Sequence, residues 1–105
     1  MSITNKRIRV HVPADLAAYV PDLVQVTRAQ LADGDEGLAA GSCAAFRTLG
    51  HNLKGSAGSF GLDHLGDLGA RIEEAARSGD PARVQVLAAE IRDYLDRLDV
   101  VASDH

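Results

Sequence analysis

Apolar residues recur in steps of three and four along most of this chain, and that spacing restricts it to amphipathic helices. The clearest run is Leu38, Ala39, Ser42 (small), Phe46, Leu49, Leu53, Ala57 and Phe60. It begins near Asp35-Glu36, acids suited to a helix N-terminus, and closes at Gly61, where a left-handed cap is needed. Before it, Pro13 and Asp15 open a helical turn through Leu16 to Tyr19, and Pro21 disfavours helix at Val20 and restarts it. Leu23, Val24, Val26 and Leu31 then run to a stop at Asp33-Gly34. After it come Leu62, Leu65, Leu68, Ile72, Ala75 and Ala76, and then Val84, Leu87, Ala88, Ile91, Leu95 and Leu98, ending near Asp99. Gly79-Asp80-Pro81 separates these last two runs as cap glycine, N-cap aspartate and first-turn proline.

Four substantial helices joined by short loops predict an all-α, antiparallel four-helix bundle with a short N-terminal extension or helical turn. A length of 105 residues fits one domain, 1–105, with the bundle core at about 16–98 and an extended lead-in at 1–12. In that lead-in Ile8, Val10 and Val12 alternate with Arg9 and His11, a weak strand signal read here as a segment lying against the body. Aromatics make up 4% and Trp is absent, so the core is built from Leu, Val, Ile and Ala, which favours helices over a sheet sandwich.

The same composition excludes several functions. A net charge of −4 leaves no basic stripe for nucleic acid or an anionic membrane. No segment approaches ~18 consecutive apolar residues and the start carries no signal-peptide run, so a cytoplasmic chain is expected. Cys43 stands alone, which rules out an intramolecular disulfide and a CxxC metal site. No GxxxxGK[ST] loop and no GxGxxG after a strand are present, so ATP is not the expected source of any phosphate.

On a helical wheel with Phe46 at zero, Leu49, Leu53, Ala57 and Phe60 fall within roughly 60°. His51 lies about 140° away on the solvent side, with Gly55 near 180°, Gly58 near 120° and Ala44 near 160°. Arg47 and Lys54 lie nearer the boundary, on the His51 side, and Lys54 is a surface neighbour of His51 three residues on. A solvent face normally carries strong helix formers. This segment instead contains Gly37, Gly41, Gly50, Gly55 and Gly58, although each interior glycine costs ~1 kcal/mol against alanine. Gly55 and Gly58 leave an imidazole on a flat, open surface that another protein's backbone can approach. Such an imidazole offers a nucleophilic nitrogen, and Lys54 beside it suits an acquired phosphoryl charge. Ser56 and Ser59 are possible hydroxyl contacts. No His or acid sits three or four residues after His51, so no helix-borne metal pair is supported.

The stretch His51-Asn52-Leu53-Lys54-Gly55-Ser56-Ala57-Gly58-Ser59-Phe60-Gly61 resembles the histidine-containing phosphotransfer (HPt) domain family, matching its H-x-L-K-G-S-x-(small)-x-(apolar)-G pattern without a gap. Leu68-Gly69-Ala70-Arg71-Ile72-Glu73 looks like the family's following helix, which often reads L-x-x-L-E. The resemblance covers roughly Leu16 to Leu98; Gly50 and Gly58 depart from it, since the family usually has alanine at both places. It implies that His51 is the phosphoacceptor, that Lys54 stabilises the phosphoryl group, that Gly55 keeps a docking surface open and that Gly61 ends the helix; Ala44, Arg47, Thr48, Gly58 and Ser59, around His51, are the further candidate receiver-docking residues. It implies receiver domains of response regulators and a hybrid sensor histidine kinase as partners. It also implies no cofactor on this chain, with magnesium on the receiver only, and a relay carrier that is not a kinase; the acidic surface and small size favour a monomer.

The remaining candidates read as structural. His64 is a plain early-helix residue, His11 and His105 lie in terminal segments, and Cys43 is a small residue at the core edge. Two rivals stand beside the relay: an HPt-like module that sequesters response regulators, and a phosphatase-like drain of receiver phosphate.

Overall fold

The computed structural model describes residues 6–103. The elements are strand β1 (Ile8–Pro13), a single helical turn α1 (Ala14–Ala17), helices α2 (Val20–Ala39), α3 (Ala44–Ser59), α4 (Asp63–Arg77) and α5 (Pro81–Arg97), and strand β2 (Leu98–Ser103). Residues 1–5 of the expected lead-in, and His105, lie outside the described residues.

Four long helices form as the periodicity predicts, but the chain is not strictly all-α. β1 and β2 pair in parallel, in register from Ile8 opposite Leu98 to Pro13 opposite Ser103. The alternation read as a lead-in is therefore a true strand. Val12 is fully buried, and Ile8, Val10, Leu98 and Val100 pack partly buried against the same core. A two-stranded sheet is marginal alone, and this one stands because its apolar face rests on the helices. Leu98 and Asp99, assigned by spacing to the last helix, belong to β2: the backbone turns extended at Leu98 (φ −65°, ψ 128°).

The first helix boundary also moves. Asp33-Gly34 does not stop α2, which continues to Ala39. Gly34 is buried inside it, and a Cβ there would lie 2.6 Å from the Phe46 ring. The missing side chain seats that ring, the largest fully buried side chain. The turn falls instead at Gly41, whose φ of 85° disfavours a side chain. Hence α3 starts at Ala44 rather than near Asp35-Glu36. Gly37, Leu38 and Ala39 belong to α2, and Gly41 and Ser42 to the turn.

Later boundaries follow the sequence. Gly61 and Gly79 take left-handed φ values of 78° and 66° after α3 and α4. The Asp80 carboxylate accepts the Arg83 N–H at 3.1 Å, capping α5.

Consecutive helices run antiparallel. Gly34 and Gly37 of α2 meet Phe46 and Ala45 of α3, and Gly50, Lys54 and Gly58 of α3 meet Glu73, Gly69 and Gly66 of α4 in reverse order. α2 and α5 are joined by Arg28 to Asp96 at 2.9 Å and by Arg92 to Asp35. On the α4–α5 flank His64 is more than a plain helix residue: its ring lies 5.5 Å from that of Tyr94. Burial, with Asp63 nearby, pushes the Tyr94 phenol up. No helix among the described residues is long and apolar enough to cross a membrane.

Candidate functional site

The contact that builds the site is the seam between α3 and α4. A Cβ on Gly50 would lie 2.6 Å from both the Glu73 nitrogen and the Gly69 oxygen. One on Gly69 would lie 2.8 Å from the Lys54 nitrogen. The two backbones therefore touch, a distance only glycine permits. Gly50, one of the two departures from the resembled pattern, lies in this contact. It is buried, and the family's usual alanine has no room there.

This close approach delivers Glu73 of α4 to the surface of α3. His51 Nδ1 lies 3.1 Å from Glu73 Oε2, and Lys54 Nζ donates to Glu73 Oε1 at 2.8 Å. Arg77, one turn along α4, stands 3.5 Å from Oε2 and pairs with Glu74 at 2.8 Å. The His51 side chain is 69% exposed while that of Glu73 is only 8% exposed. A buried carboxylate needs partners to remain charged. The Lys54 hydrogen bond above all, then that of His51, holds the Glu73 carboxyl below its ordinary range against the opposing effect of burial.

An ionised carboxylate only accepts hydrogen bonds. In the neutral imidazole, His51 Nδ1 then carries the ring proton and donates it to Glu73, which leaves the Nε2 lone pair free. The imidazole is thereby fixed in one tautomer with its nucleophilic nitrogen away from Glu73.

Around His51 the surface divides. Towards the start of α3 lies a hollow of about 810 Å³, lined among others by Ala44, Arg47, Thr48, His51, Glu73 and Arg77. Towards its end the surface is open: Cβ atoms on Gly55 and Gly58 would meet nothing within 4 Å. Ser59 is exposed there, and its hydroxyl donates to the Gly55 carbonyl at 3.3 Å. The Thr48 hydroxyl likewise turns back to the Ala44 carbonyl at 3.2 Å, and Ser56 to Asn52 at 2.9 Å. These hydroxyls are occupied by their own helix. Cys43 is half-buried at the edge of the core. Among the described residues no group of three or more His, Cys, Asp or Glu is placed to hold a metal ion.

The candidates drawn from α3 thus share one face, divided by His51 into a hollow and an open flat. Sequence reasoning missed Glu73 and Arg77 as site residues. A signal for Glu73 existed: with Ile72 at zero on the α4 wheel, Glu73 falls about 100° away, beside Gly69 at about 60°. An acid flanking a glycine on an apolar face announces a close helix contact with a carboxylate at its border.

A family model described as Hpt domain matches residues 15–100. No curated protein and no solved structure matches the chain.

Proposed function

The chain belongs to the Hpt domain family, and from that premise we propose that His51 accepts a phosphoryl group from the phosphorylated aspartate of one receiver domain and passes it to another. Hpt domains are phosphocarrier modules of two-component phosphorelays, not kinases, and they work with the receiver domains of response regulators. The observation that carries the assignment to His51 is its pairing with Glu73: an exposed imidazole whose Nδ1–H is held by a buried carboxylate at 3.1 Å.

The chemistry follows from that pairing. The Nε2 lone pair attacks phosphorus, a P–N bond forms, and the P–O bond to the aspartate carboxylate breaks, with the carboxylate leaving on the bonding pair. The ring keeps its Nδ1 proton and becomes cationic. Glu73, already hydrogen-bonded to that proton, stabilises the charge as it forms, with no reorganisation required. Lys54, drawn between Glu73 and the new phosphoryl dianion, offsets part of the added negative charge. Reversal of the same step loads the next receiver. The receiver brings magnesium and most of the transition-state stabilisation, as phosphoryl transfer requires. Gly55 and Gly58 let its surface approach the ring, with Ser59 at one rim and Ala44, Arg47 and Thr48 at the other. On this reading the donor is the receiver of a hybrid sensor histidine kinase, and the carrier acts as a monomer.

The test is transfer from a labelled, phosphorylated receiver to the wild-type chain and to His51→Gln. Acid-labile, base-stable label on the wild type alone is the expected result. Binding without label turns the reading to a sequestering module. Label that is lost rapidly with no acceptor present turns it to a phosphate drain.

A further inference from the structure

We propose that Arg47 binds the phosphoryl group on His51 from the hollow beside the ring, as a second cation that the Lys54 assignment does not supply. The inference rests on the reading of His51 as phosphoacceptor.

Three cations surround this imidazole, and two are already engaged. Lys54 Nζ donates to Glu73 at 2.8 Å. Arg77 pairs with Glu74 at 2.8 Å and lies 3.5 Å from Glu73. The Arg47 guanidinium has no hydrogen bond or ion pair among the described residues. Arg47 sits one helical turn before His51, so the two side chains share a strip of surface. Both line the 810 Å³ hollow, whereas Lys54 does not.

The charge balance after transfer favours a second cation. Before transfer, Glu73 with Lys54 is a neutral pair. After transfer the site gains a phosphoryl group of about two negative charges, set against one on the ring. Lys54 cannot serve Glu73 and the phosphoryl group fully at once. Removing it from Glu73 leaves a carboxylate with a side chain 8% exposed, a costly outcome. A cation with no partner to give up, on the ring's other flank, incurs no such cost. Its planar fork of donors matches phosphoryl oxygens.

The test needs no receiver. The full chain is phosphorylated with phosphoramidate, from which Nε2 displaces ammonia as the P–N bond of the donor breaks. The second ionisation of the phosphohistidine is then followed by phosphorus NMR in the wild type, Arg47→Ala, Arg47→Lys and Lys54→Ala, with His51→Gln identifying the signal. Glu73 and Arg77 on α4, and Lys54 on α3, are the other charged groups facing the ring, and none is altered in the Arg47 variants. The expected result is a titration about half a pH unit higher in Arg47→Ala than in wild type, the size expected for losing one exposed cation. Arg47→Lys recovers most of the shift, and circular dichroism is unchanged. An unchanged titration in Arg47→Ala, with Lys54→Ala shifted, overturns the proposal and leaves Arg47 at most a docking contact. A wild-type chain that takes no phosphoryl group at His51 overturns this proposal together with the assignment of His51.

Discussion

At His51 the two ring nitrogens are made unequal by a single carboxylate, and the residue that does this comes from another helix. Glu73 lies 22 positions further along the chain. The motif around His51 is local and legible: histidine, lysine three residues on, then glycine. The acid that orients the ring is not local, because its role depends on the register at which α4 packs on α3. The sequence shows an acid in the right neighbourhood but not the atoms it meets. Replacing Glu73 by Gln tests its part. Gln keeps an acceptor for the ring N–H but loses the charge, and a charge-assisted hydrogen bond is roughly twice as strong as a neutral one. Transfer to Glu73→Gln is therefore expected to slow by up to about tenfold. The same variant carries a pH signature. The folded-state pKa of Glu73 is lowered from an ordinary value of 4.5. Its charge thus contributes stability that is fully present above that value and is lost as pH falls through the lowered one. The stability gap between wild type and Glu73→Gln, measured by urea unfolding, should close as the pH drops below about 4.5. A gap constant down to pH 2 would mean that the Lys54 and His51 contacts do not hold the charge in solution.

Helix α3 shows what the glycines are for once each is taken at its own position. Periodicity placed the apolar face correctly: Phe46, Leu49, Leu53 and Ala57 are all buried. It grouped Gly50 with the glycines of the open surface, although on the same wheel Gly50 falls only about 40° from Phe46. That angle was the available clue, and the structure follows it, with Gly50 against the α4 backbone. Opposite signs follow for one substitution at two sites. At Gly58 alanine meets nothing within 4 Å, so better helix propensity should stabilise the protein by about 0.5–1 kcal/mol. At Gly50 the same gain is outweighed by overpacking against backbone atoms 2.6 Å away, typically costing about 1–3 kcal/mol. Midpoints of urea unfolding should move up for Gly58→Ala and down for Gly50→Ala. Two shifts of the same sign would mean that the α3–α4 seam is looser than these distances require.

Across the whole molecule the two strands draw the ends of the bundle together, and this was the least legible part of the fold. Only Ile8, Val10 and Val12 alternate clearly in β1, and β2 continues straight from α5 with Leu98, so a helical reading absorbed it. A parallel pair whose strands flank the entire bundle leaves no local turn signature. The family match begins at residue 15, after β1, so the strand adds a support outside the matched region. Val12 is the best place to measure that support, being fully buried and opposite Ala102. Val12→Ala removes two methyl groups at ~0.8 kcal/mol each, plus a cavity term, for a loss of about 2 kcal/mol. In a domain of this size that lowers the melting temperature by about ten degrees. The α3–α4 seam that sets His51 against Glu73 does not include β1, so labelling of His51 well below the melt should proceed at the wild-type rate. An unchanged melting temperature would show the sheet to be a passive tether. A slowed transfer with the fold intact would show instead that the strand pair reaches the site through α2, the helix that packs on α3.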